Sequence, residues 1–215
     1  PPACPRSGQP IFPTTGSKQE PIPTGITLGK ISLVFNYDSS RAPRGGLIAA
    51  LDGEVTLYGD MGNLWSSSAH RQLAISEASI QALRGNGKVV SFEGGGQTWA
   101  ATQAHQDGLS VVLGNYVYRD QGAGALEIYD NGIAVSNLGQ LQSIAQADGM
   151  TLVANNSNAN TASSVAPAPG YLLSLTDPFG RSLSFIYDIV TPSGGRSAVV
   201  IKQISDATGR TITPG

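Results

Sequence analysis

Histidines, serines beside a base, paired carboxylates and glycine-rich loops are the groups that would carry chemistry, and this 215-residue chain is sparing with them. His70 and His105 are its 2 histidines, and neither stands in an HExxH or HxH arrangement that would aim two imidazoles at one metal. Ser66, Ser67 and Ser68 sit just before His70 and could offer a nucleophile, but no Gly-x-Ser-x-Gly elbow exists to present one. A solvated or packed histidine is the plainer reading. The runs RGNGK (84–88) and EGGGQ (93–97) lack the Gly-Lys-Ser/Thr ending and the following helix that cradle phosphate, so they read as hairpin turns. Asp52, Asp107, Asp148, Asp177 and Asp206 each lie in a turn containing glycine, and two such turns would have to converge before a carboxylate pair shared acid–base work. The same oxygens would suit a calcium ion at stacked turns, the one cofactor the residue types allow for. Trp65, Trp99, Tyr116 and Tyr118 form a candidate sugar-binding platform, set against the alternative of packing between sheets. No residue is assigned a catalytic, cofactor-binding or metal-ligating role, and the chain reads as a non-enzyme.

Composition points the same way. Charged residues make up 13% of the chain, against about 25% in ordinary soluble domains, while glycine (27) and proline (13) are plentiful. That profile belongs to turn-rich all-β proteins. A net charge of −2 without clustered Lys or Arg provides no footprint for nucleic acid or an anionic membrane surface. No apolar run approaches the ~18 residues of a membrane span. Cys4 has no second cysteine to pair with and reads as an idle thiol, with an intermolecular bond or a lipid as alternatives. The chain begins Pro1-Pro2 without methionine or a signal-peptide core, which reads as a processed product or a segment of something longer.

The elements that must position these residues are short strands. Residues 1–25 hold most of the prolines and read as an extended arm. From Ile26 to residue 154, apolar stretches alternate with turn signals; Ile31, Leu33, Phe35 and Tyr37 share one face, the period-2 signature of a half-buried strand. Strands about ten residues apart predict an antiparallel all-β sheet of hairpins, curved or sandwich-like. RQLAISEASIQALRG (71–85) competes as a helix, but Gly85-Asn86-Gly87 makes a hairpin toward KVVSF and favours two strands. Asp148-Gly149 is a second hairpin signal. Residues 155–170, rich in Asn, Ala, Ser and Pro, read as a flexible loop or linker before the hairpins of 171–215.

Internal repetition is the strongest signal. LTDPFGRS (175–182) is echoed by ISDATGRT (204–211), with looser copies around Asp130-Asn131-Gly132 and Asp148-Gly149. Aspartate at the first turn position accepts from amides two residues on, and glycine three positions later takes the left-handed conformation that closes the turn. The arginine that follows is expected to reach a neighbouring turn's carboxylate or a sheet-edge carbonyl. Asp177, Gly180, Arg181 and Tyr187, with Asp206, Gly209 and Arg210, are therefore structural repeat residues. Each hairpin is too small to bury its own face, so neighbours must supply the core.

Those residues carry a resemblance. LTDPFGRSLSFIYD and ISDATGRT resemble the DxxGRxxxxxYD unit of the Rhs (YD-repeat) family of bacterial proteins, and CPRSGQPIFPTTGSK, GNLWSSSAHRQL and YVYRDQGAGALEIYDNGIAVSNLGQLQSIAQADGMTL are similar to the region preceding its repeats. The resemblance implies a β strip that, in longer members, winds into a hollow shell around a toxic domain. It implies a secreted or cell-surface scaffold that associates through sheet edges with the rest of a longer chain or with copies of itself. A subunit of an extracellular fibre, polymerising by strand addition, is the alternative; a carbohydrate-binding module with a glycan ligand comes next.

Overall fold

Alternation of buried with more exposed side chains runs along many strands of the computed structural model, which describes residues 11–12, 17–39, 65–102, 106–132, 137–191 and 198–213. Cys4, Asp52 and His105 lie outside the described residues. The first elements are Ile11–Phe12 (β1), Ser17–Leu28 (β2), Ile31–Asp38 (β3) and Trp65–Ser67 (β4), paired antiparallel in that order. Part of the proline-rich arm thus runs as β2. Its Pro21 and Pro23 are two residues apart, so the donors they lack belong to one edge, and the other edge pairs with β3.

A second sheet begins one turn after β4. Its strands are Gln72–Ile75 (β5), Ser79–Leu83 (β6), Val89–Gly95 (β7), Thr98–Ala101 (β8), Gly108–Val112 (β9), Asn115–Asp120 (β10), Ala125–Tyr129 (β11) and Leu138–Ala145 (β12). Each pairs antiparallel with the next, and β12 returns to β5 through Leu138↔Ala74, Gly139↔Leu73 and Gln140↔Gln72. The result is a closed eight-stranded barrel. This corrects the expected open, curved or sandwich-like hairpin sheet over 26–154: these strands remove their edges by closing on themselves. The stretch 71–85 forms β5 and β6, with Gly87 at φ 79° in the turn that follows.

At eight strands a barrel is just wide enough for side chains to fill it. Leu73, Ile80, Ala82, Phe92, Leu109, Tyr118 and Tyr129 are buried in its interior, with Phe92 and Tyr118 edge to face at 5.8 Å. One end of the barrel is different: Arg71, Arg84, Asp120 and Glu127 stand there in place of apolar residues.

The sheet also continues out of the barrel. One edge of β12 pairs with β11 from Leu141 to Ala145, while the other divides: Leu138, Gly139 and Gln140 pair with β5, and Ser143, Ile144 and Ala145 pair with Thr151–Asn156 (β13). From β13 the strip runs through Leu172–Thr176 (β14), Ser182–Val190 (β15), Ala198–Asp206 (β16) and Thr211–Ile212 (β17). Leu183, Phe185 and Tyr187 of β15 alternate along the strand and form one buried stripe.

The stretch expected as a flexible loop or linker, residues 155–170, runs as a loop from Ser157 whose ends are tied together. Ser157 donates its amide to the Tyr171 carbonyl at 2.7 Å and its hydroxyl to the Ala168 carbonyl at 2.7 Å, and it accepts the Tyr171 amide at 2.8 Å. That closure makes a compact loop of the Ω type. Ala166 is buried, and the Val165 carbonyl accepts the amide of Tyr187, where β15 bulges.

Candidate functional site

The site is best built from Ser68, the corner between β4 and β5. Its amide donates to the Val34 carbonyl, its hydroxyl accepts the Val34 amide and donates to the Ser32 carbonyl, and so the small sheet is held across one end of the barrel. Asn36 adds a bond from Nδ2 to the Gly85 carbonyl at 3.0 Å. Gly85 has no room for a side chain: a Cβ there would come within 2.5 Å of the Ser68 carbonyl oxygen.

Below that cover lies the charged cluster. Glu127 is fully buried; one carboxylate oxygen accepts from Arg71 Nη1 and from Arg84 Nη2 at 2.7 Å, the other from Arg84 Nη1 at 2.5 Å and from the Tyr129 hydroxyl at 2.6 Å. Burial alone would favour its neutral form, but the charge of Arg71 and the bonds and charge of Arg84 outweigh it and hold its pKa down to about 2. Arg84 is placed on the Tyr118 ring, 3.7 Å from the centroid, and bonds Asp120 at 3.1 Å. Burial opposes its charge too, yet Glu127 keeps its pKa above the ordinary value. Tyr118 donates to Asp107 at 2.7 Å, and burial is the main reason its pKa is raised. Between cover and cluster is a cleft of about 600 Å³, lined by Arg71, Arg84, Lys88, Asp107 and Asp120 among others. A second of about 390 Å³ adjoins it at Ser68 and Arg71. The cluster holds its charges in place; Glu127, ionised and saturated, has no lone pair left for a proton in transit.

A second polar group sits where strip meets barrel. His70 Nδ1 lies 3.1 Å from the Ser67 hydroxyl and Nε2 lies 2.6 Å from the Tyr187 hydroxyl, which donates to the Leu172 carbonyl at 2.7 Å. Because Tyr187 has its proton committed to that carbonyl, the bond to His70 requires Nε2–H as donor, leaving Nδ1 to accept from Ser67. The serine–histidine pair exists, but Ser67 is 0% exposed and desolvation pushes the His70 pKa down to about 3. It stays neutral and ties β4 to β14 and β15.

The repeat turns superpose in chemistry. Asp177 Oδ1 accepts the amides of Phe179 and Arg181, and its Oδ2 accepts Arg181 Nε at 2.6 Å; Asp206 does the same with Thr208, Arg210 and Arg210 Nε at 2.7 Å. Gly180 and Gly209 have φ of 78° and 83°. The arginines thus clamp the aspartate of their own turn, where a neighbouring turn's carboxylate was expected; only Arg210 also reaches a carbonyl, that of Gly25 in β2, at 3.2 Å. Asp148 and Asp130 share one feature of these turns, each accepting the amide two residues on, from Met150 and from Gly132, but the turn at Asp148 opens at Gln146.

The four candidate platform aromatics do not form one surface. Tyr118 and Trp99 are buried in the barrel, Trp99 packs on half-buried Tyr116 at 6.5 Å, and Trp65 packs on Tyr37 at 5.0 Å in the other sheet. Among the described residues no three His, Cys, Asp or Glu side chains gather as a metal would need, and no helix is long and apolar enough to cross a membrane. Arg71, Arg84 and Glu127 were missed by sequence reading; the signal available was one charge in an otherwise apolar every-second-residue alternation, as in Arg71-Leu73-Ile75, Ile80-Ala82-Arg84 and Ala125-Glu127-Tyr129. No protein-family model matches the chain, and no curated protein is similar to it.

Proposed function

We propose that this protein is a non-enzymatic scaffold module of a secreted or surface-displayed bacterial YD-repeat protein, in which the barrel is a closed base and the strip of β13 to β17 a sheet that continues by strand addition. The observation that carries this reading is the end of the strip. One edge of β16 is paired along its length with β15, whereas the other pairs with β17 only at Ile204 and Ser205, leaving residues 199–203 without a strand among the described residues. An unpaired edge is a template for another strand. Two matching Asp-x-x-Gly-Arg turns, at 177–181 and 206–210, support the idea that the same unit repeats beyond it. The next strand would come from a longer chain of the same kind. A fibre subunit would use the same edge for a second copy.

The test is to append residues 185–206 after residue 213, so that the two-residue β17 is completed as a full strand of the β15 kind and followed by a further β16. In an open repeat array each added unit stabilises its neighbour, so the urea midpoint should rise and the amides of residues 199–203 should become protected from hydrogen exchange. An appended copy that exchanges like unfolded chain and leaves the midpoint unchanged would sink the reading. Mass that grows with concentration in the unextended chain, with protection at 199–203, would favour the fibre.

A further inference from the structure

We infer that the cleft between the small sheet and the charged end of the barrel is a binding site for a carboxylate-bearing ligand. The inference comes from counting donors and acceptors. Every carboxylate oxygen around the cleft is already bonded: both of Glu127; Oδ1 of Asp120 by the Ala123 amide and Oδ2 by Arg84; Oδ1 of Asp107 by the Gln121 amide and Oδ2 by Tyr118. The cations are not so filled. Arg71 gives Nη1 to Glu127 and directs Nε at the Ser68 carbonyl from 3.5 Å, while its Nη2 has no partner among the described residues. Lys88, on the exposed turn at the rim, has no acidic partner there either.

A part-buried guanidinium with one unfilled nitrogen is selective in what it accepts. Arg71 is held by Glu127; its side chain is 13% exposed and lines both the 600 Å³ and the 390 Å³ cavities. What is missing is an acceptor with negative charge, and a carboxylate oxygen meets the remaining Nη2–H in a charge-assisted hydrogen bond. The larger cavity is of the size that holds a small ligand. The ligand carboxylate would take the Arg71 Nη2–H and lie within the field of Lys88. An acidic side chain of a peptide and an acidic sugar share that chemistry.

The experiment uses the whole chain, isotopically labelled, at neutral pH and low salt. Succinate, a glutamate-rich peptide and oligogalacturonate are titrated separately, with sulfate as the control anion, and amide shifts are followed. Saturable shifts at Gly85, Asn86, Gln121 and Gly122 with a carboxylate are expected; which polymer binds tighter identifies the source. Arg71→Lys, which keeps the charge on Glu127 but removes Nη2, should abolish saturation. Lys88→Ala lies on an exposed turn, should leave the fold intact and should weaken binding about threefold, the worth of one exposed charge. Absence of saturable shifts with all three carboxylates, equal binding of sulfate, or unchanged affinity in Lys88→Ala would overturn the assignment.

Discussion

A single carboxylate, that of Asp177, closes one repeat turn by itself: it accepts two amides and the side chain of Arg181. Burial works to raise its pKa, but the Arg181 side chain and the amides of Arg181 and Phe179 outweigh it and hold it below the usual range. Asp206 has the same partners plus the Thr208 hydroxyl, which contributes most to lowering its pKa. The difference is location, since Asp177 joins two paired strands inside the strip and Asp206 joins β16 to a two-residue strand at its end. Asp177→Ala should therefore destabilise the protein, and Asp206→Ala should do so by less. Urea unfolding of both variants checks this, and a reversed order would show that the turns are not graded by the sheets around them. The turn residues were legible in sequence because Asp, Gly and Arg act within five residues of one another. Arg84 and Glu127 were not, because they meet from positions 43 residues apart in sequence.

Strands were readable for the same reason of locality: alternation at Ile31, Leu33 and Phe35, or at Leu183, Phe185 and Tyr187, is a property of neighbours. The loop of residues 157–171 was not, since its order comes from Ser157 bonding across to Ala168 and Tyr171. The junction between barrel and strip hangs on another contact distant in sequence, His70 with Tyr187. His70 is neutral in the folded protein, with its pKa at about 3 against an ordinary 6.5. A lowered histidine pKa means the unfolded chain binds the proton more readily, so the associated stability is complete above pH 6.5 and is lost as pH falls toward 3. Between pH 6.5 and 5 the slope should be about 1.4 kcal/mol per unit, a loss of about 2 kcal/mol. Glu127 adds nothing to the slope there, because its stabilisation is complete above its ordinary pKa of 4.5 and is lost only below it. His70→Gln should flatten the profile in that window, and denaturant titrations at a series of pH values check this.

At the scale of the molecule, the feature sequence did not reveal was closure. Hairpin order predicts β5 to β12 as neighbours, but nothing local says that Leu138, Gly139 and Gln140 will find Ala74, Leu73 and Gln72 and turn a ribbon into a ring. Gly139 is part of the reason they can, for a Cβ there would meet Leu73 and the Asp130 carbonyl at 3.1 Å. The charged end of the ring follows from closure as well. Arg71 leads into β5, Arg84 leaves β6 and Glu127 lies on β11, so the three meet only when the eight strands complete a circle. Glu127 then compensates two guanidinium groups at once. Glu127→Gln leaves both cations in a largely desolvated site, and the cost of breaking such a buried ion pair is about 3–5 kcal/mol. The deficit should depend on pH in a defined direction. The wild-type carboxylate contributes fully above pH 4.5 and loses its contribution as pH falls toward 2, so the gap between wild type and Glu127→Gln should be widest near neutrality and narrow below pH 4.5. A gap that stays constant down to pH 2 would mean that the side chain stabilises the barrel by its shape and hydrogen bonds, and that its charge is not what holds the two arginines at the ring's open end.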